Sequence, residues 1–231
     1  MSLSFSMFDR VSGIRYGMSE RSDGSLRLNQ PCTEQNRRAY LEPLDIPFES
    51  LVSADLVHKT HIHVAQAVDT SHTILACDGF VTAETGITLT VTGADCFPVF
   101  VVDPVRRVIG IVHAGWKGIA AGIVSKLVQE MEKLGATKEN LLFGIGPGIR
   151  ACHFEVKEDV SSVFPDKESI HNSHIDLPAS ITRQLETLGI ARTQIEDCGL
   201  CTACLSDRYF SYRRDKPEII EAMMAYIRLD K

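Results

Sequence analysis

The sequence predicts a mixed α/β or α+β domain, and three observations predict it. Ile87-Thr-Leu-Thr-Val-Thr92 alternates apolar and hydroxyl side chains at the period of a β-strand. Phe97-Pro-Val-Phe-Val-Val102 and Val108-Ile-Gly-Ile-Val112 are nearly continuous apolar runs, the pattern of strands covered on both faces. Helical segments follow these strands: Ile119 to Leu134 ends at Gly135, and Pro178 to Leu188 ends at Gly189, each glycine standing where a helix commonly terminates.

The remaining elements follow in chain order. The first thirty residues are polar, with glycines at 13, 17 and 24, and read as short strands joined by turns. Thr33 is a candidate cap for a short helix from Glu34 to Leu41, ended by Pro43. From Pro217 to Leu229, the spacing of Ile219, Ile220, Met223, Met224 and Ile227 predicts a helix. No repeat, low-complexity stretch or Pro/Gly/Ser-rich linker divides the chain, so residues 1–231 read as one domain.

Composition narrows the function. A 44% hydrophobic fraction over 231 residues supplies an ordinary core. The net charge of −6 leaves no basic excess to neutralise a nucleic-acid backbone. The opening Met1-Ser-Leu-Ser-Phe-Ser6 has no charged-then-apolar leader, and no run reaches the ~18 apolar residues of a membrane span. Seven scattered cysteines fit buried thiols or metal ligands better than a disulfide framework, and the expected location is the cytoplasm.

Chemistry concentrates between Ala94 and Gly118. Asp103-Pro104-Val105-Arg106 suits a turn between the two apolar strands, and a hairpin centred between Pro104 and Val105 sets Cys96 opposite His113. Opposed β-carbons stand about 4.5–5.5 Å apart, close enough for a thiolate and an imidazole to share one metal ion. A slip of one residue would put them on opposite faces. The third ligand is sought in Val57-His-Lys-Thr-His-Ile-His-Val64, where His61 and His63 share a face and His61 is chosen. One cysteine and two histidines leave a tetrahedral position open, as in catalytic zinc sites. Against this, a cysteine in an apolar strand is more often a small hydrophobe, and a histidine at a strand end is more often hydrogen-bonded core.

Three other motifs carry weaker signals. Cys198-Gly-Leu-Cys-Thr-Ala-Cys204 contains two overlapping Cys-x-x-Cys spacings, but no second Cys-x-x-Cys or histidine pair nearby completes four ligands, so it reads mainly as a packed turn. Gly144-Ile-Gly-Pro-Gly148 is either an anion or nucleobase cradle or a tight turn. Ser211-Tyr-Arg-Arg-Asp215 offers two guanidinium groups for phosphate, or two surface ion pairs.

These residues resemble the YfiH-like family, also labelled laccase-domain or multicopper polyphenol oxidoreductase proteins and purine nucleoside phosphorylases. The likeness runs through Lys59-Thr-His61, Ala94-Asp-Cys-Phe-Pro98, His113-Ala-Gly-Trp-Lys-Gly118, Gly146-Pro-Gly-Ile149 with Cys152-His-Phe-Glu-Val156, and Cys201-Thr202 with Ser211-Tyr-Arg-Arg214. The resemblance implies an α-β-β-α sandwich and a cytoplasmic, often monomeric enzyme with zinc on His61, Cys96 and His113. Arg15, in Arg15-Tyr-Gly-Met-Ser19, becomes a candidate substrate or phosphate contact, joined by Lys117 and Arg213. Lys59, Met18 and Lys117 replace the family's usual Gln, Gly and Arg, Glu221-Ala222 replaces a Gly-Arg, and the family implies a strand near the C-terminus.

The implied reaction is phosphorolysis of adenosine, inosine, guanosine or methylthioadenosine, with adenosine deamination as a side activity. A copper polyphenol oxidase is the first rival. Multicopper centres draw on many imidazoles, largely in His-x-His pairs, whereas this chain has eight histidines and one such pair, His61-Ile-His63. A metal-free Cys96/His113 hydrolase and a non-enzymatic binding module are the others.

Overall fold

The computed structural model describes residues 3–30 and 32–230, and its strands form two stacked mixed sheets. The first has the order β1 (Ile14–Met18), β13 (Met223–Leu229), β6 (Thr88–Gly93), β2 (Leu51–Ala54) and β4 (His72–Ile74). The second has the order β12 (Ile195–Asp197), β9 (Leu142–Ile145), β7 (Phe97–Asp103), β8 (Val108–Ala114), β5 (Gly79–Thr82) and β3 (Ile62–Val64). A small hairpin, β10 (Ile170–His171) with β11 (His174–Ile175), stands apart.

Residue parity assigns the layers. Phe100, Val102, Ile109 and Ile111 face the first sheet and pack with Val52, Leu89, Ala225 and Ile227. Their neighbours Val99, Val101 and Val112 face the other way, against Ile123, Leu127 and Met131 of α3 (Ile123–Lys133) and, beyond the short α4 (Glu158–Ser161), Ile181 and Leu185 of α5 (Leu177–Thr187). On the far side of the first sheet, Leu51, Met224 and Tyr226 meet Leu41 of α1 (Thr33–Leu41). The result is the expected α-β-β-α sandwich. β7 and β8, at the centre of the second sheet, read as unbroken apolar runs because both of their faces are covered.

Several sequence expectations need correction. The helix expected from Ile119 to Leu134 is two helices, α2 (Trp116–Ala120) and α3, broken at Gly122, whose φ of 82° lies in the left-handed region. Thr33 does not cap α1: its hydroxyl donates to the Arg27 and Gln30 carbonyls. Asp176 caps α5, its carboxylate accepting from the Ala179 N–H.

The C-terminal segment is a strand, not a helix. β13 pairs antiparallel with both β1 and β6, and all seven of its residues are buried. Met223, Ala225 and Ile227 enter the inter-sheet core while Met224 and Tyr226 enter the outer one, so the polar alternation of a half-exposed strand is lost. Intrinsic helix preferences differ by at most about 0.7 kcal/mol per residue among ordinary residues, whereas fully burying a Met or Ile side chain contributes roughly 1.5–3 kcal/mol. Tertiary burial therefore overrides the local pattern.

Candidate metal centre

The site forms where both sheets end in turns. In the β7–β8 hairpin Asp103 pairs with Val108, so Pro104 to Arg107 make a four-residue loop. The Asp103 carboxylate accepts the Val105 and Arg106 N–H groups, and Arg107 takes a left-handed φ of 54°. The turn centre is thus one residue later than expected, and His113 faces Pro98 rather than Cys96. A shift of that kind moves the register by two, which preserves the face. Cys96 lies just before β7, on the β6–β7 turn with Asp95 at φ 90°, and its sulfur still reaches His113.

The third member is His58. One donor atom each from His58, Cys96 and His113 lie within 4.8 Å of one another. His61, the ligand chosen from the sequence, is outside the cluster: it is exposed, and its Nδ1 is 2.9 Å from the Ala76 carbonyl. Backbone geometry explains the exchange. His58 lies in the β2–β3 loop with a left-handed φ of 56°. The N–H groups of Val57, His58 and Lys59 all donate to the buried Asp78 carboxylate at 2.7–3.1 Å. Asp78 also accepts the His113 N–H through its carbonyl at 2.7 Å, so one residue ties the His58 loop to the His113 strand. Gly118 lets the loop close down, since a Cβ there would stand 3.0 Å from the Lys59 carbonyl oxygen. Sequence reasoning missed Asp78 entirely; its one signal is the Asp78-Gly79 pair entering a strand.

The cluster has the features of a metal seat. The His113 Nδ1–H donates to the Thr92 carbonyl at 2.8 Å, which fixes the tautomer and leaves a bare lone pair on Nε2. That Nε2 is buried and has no hydrogen-bond partner, a costly arrangement for a polar atom unless something binds it. Gly115 keeps the centre open: a Cβ there would fall 2.9 Å from Cys96 Sγ, 3.4 Å from His58 Cδ2 and 3.6 Å from His113 Nε2.

Electrostatics agree with the geometry. Burial, with the neighbouring His58 charge adding to it, pulls His113 down to about 4 and holds it as the neutral imidazole that ligates metals. Burial, aided by the Asp95 and Asp78 carboxylates, pushes the Cys96 thiol up to about 12. Both effects oppose a thiolate–imidazolium pair, the form a metal-free Cys/His nucleophile requires. A divalent cation among the three donors supplies the charge that offsets a thiolate.

The cluster lies on the wall of a cleft of about 790 Å³. Lys117 and Arg213 line it, and Arg27, which sequence reasoning missed, joins them. Arg213 is held in place by its N–H to Asp95 Oδ2 (2.7 Å) and by its guanidinium to the Glu155 carbonyl (2.7 Å). Arg15 is elsewhere. Its guanidinium binds Asp230 and the Leu44 and Asp45 carbonyls, and it does not line the cleft. Arg214 is likewise internal, donating to the Thr202, Ala203 and Tyr209 carbonyls. Gly144, Gly146 and Gly148 are not an anion cradle. Added Cβ atoms would strike Phe5, Pro98 and Phe97 at 2.5–2.7 Å, so these glycines serve close packing.

Comparison with known proteins agrees with this architecture. The family model described as multi-copper polyphenol oxidoreductase laccase matches residues 7–230. A purine nucleoside phosphorylase of Deinococcus radiodurans is 32% identical over 219 residues, which are 89% of this chain and 81% of that protein. Purine nucleoside phosphorylase LACC1 of Mus musculus is 33% identical over 153 residues, 60% of this chain but 35% of that protein, so the match spans about a third of its length. The crystal structure of the Bacillus licheniformis hypothetical protein YfiH superposes with a TM-score of 0.90 at 27% identity, covering 96% of this chain and 95% of that one. YlmD from Geobacillus stearothermophilus gives 0.88 at 24% identity over 96% and 93%, a likeness of fold. With its sandwich, its Cys/His cluster and a family model matched along nearly its whole length, the chain belongs to the laccase-domain family.

Proposed function

We propose that the protein is a zinc-dependent purine nucleoside phosphorylase, converting a purine nucleoside and phosphate to free base and ribose 1-phosphate. The observation that carries the proposal is the convergence of His58, Cys96 and the bare Nε2 of His113 on the wall of a cleft lined by Arg27, Lys117 and Arg213. The names of the relatives in Deinococcus radiodurans and Mus musculus support the same reaction.

A zinc ion bound by His58, Cys96 and His113 would supply a Lewis-acidic centre. The chain's own residues do the rest. Lys117 and Arg213 orient phosphate by charge, Arg213 from a fixed position because its backbone and guanidinium are both tethered. Trp116, Phe154 and Tyr212 offer aromatic surface for a purine. As a phosphate oxygen bonds to C1′, the C1′–N9 bond breaks and its electron pair leaves with the base, which takes up a proton. Adenosine deamination, in which water displaces the 6-amino group as ammonia, is the proposed side activity. Seven free thiols fit a reducing compartment such as the cytoplasm. Among the described residues no helix is long and apolar enough to cross a membrane.

The copper oxidase reading has less support. Among the described residues, the two candidate metal clusters contain three histidines between them, and the cleft cluster has two. The test is a panel of adenosine, inosine, guanosine and methylthioadenosine, with and without phosphate, on protein of measured metal content. Phosphate-dependent release of base, lost in Cys96→Ala, is the expected result. Turnover that ignores phosphate, or that survives in Cys96→Ala, overturns the proposal.

A further inference from the structure

A second group of metal-ligating side chains lies outside the cleft. Cys152 and His153, on the segment after β9, meet Cys201 and Cys204 of the turn after β12, with all four donor atoms within 4.8 Å of one another. From these distances and the donor chemistry we propose that Cys152, His153, Cys201 and Cys204 hold a structural zinc ion.

The spacing of the donors carries the argument. A tetrahedral zinc with Zn–S near 2.3 Å and Zn–N near 2.05 Å sets its sulfurs about 3.8 Å apart and sulfur about 3.5 Å from nitrogen. Cys152 Sγ is 3.6 Å from both Cys201 Sγ and Cys204 Sγ. His153 Nδ1 is 3.2, 3.4 and 4.0 Å from the sulfurs of Cys152, Cys204 and Cys201. Both sulfur–sulfur distances fall about 0.2 Å short of the tetrahedral value, and the sulfur–nitrogen distances bracket theirs. Three sulfurs and an imidazole nitrogen make a complete four-ligand set, the form of a closed structural site, and thiolate-rich sets select zinc over hard cations. The cleft cluster has three ligands; this one leaves no position for substrate.

The surroundings hold the ligands in place. Gly148 bridges Cys201 in parallel register, and the Thr202 N–H donates to the Gly148 carbonyl at 3.1 Å. The Arg214 guanidinium caps the Thr202 and Ala203 carbonyls inside the Cys-x-x-Cys turn. Cys198, the first cysteine of the overlapping motif, is not a member. The sequence hid the site because two ligands come from about fifty residues upstream, as adjacent Cys and His instead of a second Cys-x-x-Cys.

The site has a structural task. It staples the segment carrying Ile149 and Phe154, which line the cleft, to the turn whose Thr202 hydroxyl holds Asp95 Oδ1 at 2.7 Å. Asp95 is the neighbour of Cys96, and Arg213 bonds the His153 and Glu155 carbonyls. The ion would therefore hold one cleft wall without touching substrate.

Zinc per full-length chain, measured by elemental analysis on protein purified without chelator, is the test. Wild type is expected to hold two, Cys204→Ser one, Cys96→Ala one, and the double variant none. Cys204 is exposed, which favours a folded variant, and circular dichroism confirms it. A single zinc in wild type that vanishes in Cys96→Ala overturns the second site, as does an intact mass 2 Da low from a disulfide among these cysteines. Iron in place of zinc overturns the zinc assignment. Cobalt loading keeps the test open if Cys204→Ser fails to fold: folded Cys96→Ala should retain strong near-ultraviolet thiolate-to-cobalt absorption, and its absence refutes the proposal. Because Cys96→Ala removes only the cleft site, failure there is distinguishable from failure here.

Discussion

Gly115→Ala tests the cleft centre with one methyl group. Gly115 has φ −77° and ψ 162°, a conformation alanine adopts freely, so the backbone need not move. It precedes α2 without a side-chain cap, and glycine is favoured over alanine at that position, so stability should fall by about 0.5–1 kcal/mol. For a protein of this size that lowers Tm by roughly 1–4 °C. The seat suffers far more. The new Cβ would stand 2.9 Å from Cys96 Sγ, roughly 0.6 Å inside the ~3.5 Å onset of comfortable contact. Metal sites tolerate ligand displacements of only about 0.2 Å. Zinc affinity should therefore drop at least 10-fold and, by comparison with lost supporting contacts around other metal sites, up to about 100-fold. Competition of wild type and variant for zinc against a chromophoric chelator reads this directly, with thermal melts of zinc-free protein to show that both are folded. The cleft and second sites are separated by running both proteins in a Cys204→Ser background. Affinity within twofold of the parent would refute the claim that the space beside Gly115 is a metal seat.

Three further outcomes follow from the geometry. His58→Ala should remove the cleft zinc and lower kcat/KM at least 100-fold, whereas His61→Ala should stay within about twofold of wild type; the reverse result restores His61 as the ligand. Lys117→Ala and Arg213→Ala should raise KM for phosphate about 10-fold, equivalent to roughly 1.4 kcal/mol each, while Arg15→Ala should lower Tm and leave that KM alone; an Arg15 effect on KM would show that the cleft is wrongly bounded. In zinc-free protein His113 is held down to about 4 against an ordinary 6.5, so the unfolded chain takes up its proton first. Its contribution to stability is fully present above pH 6.5 and is lost as pH falls towards 4, on the order of 3 kcal/mol in all. Urea midpoints that do not fall across that window more in wild type than in His113→Gln would contradict the burial of an uncharged imidazole.

Legibility in the sequence divides by range. β6, β7 and β8 were readable because their patterns are local: period-two alternation in one, solid apolar runs in the others, with turn residues between. Cys96 and His113 were readable together although the turn centre was misplaced, because the register error preserved the face. α3 and α5 were announced by Gly135 and Gly189, both at positive φ. The break at Gly122 was missed, since a glycine inside a helical pattern does not declare its φ.

Taken alone, the sequence determined the strands and helices whose pattern is local, as alternation, as a solid apolar run or as a terminal glycine, and it determined that cysteine and histidine flank one hairpin. Tertiary structure decided which histidine completes the cleft centre, because His58 is placed by three N–H groups donating to Asp78, about twenty residues along the chain and just before β5. It also decided that Pro217 to Leu229 contains a strand, and that Cys152 and His153 meet Cys201 and Cys204. Periodicity reports how a segment divides between core and solvent. Where the apolar spacing of a segment buried on both faces also fits a helix, as in β13, or where ligands converge from distant loops, that division does not decide and the packing of other elements makes the choice.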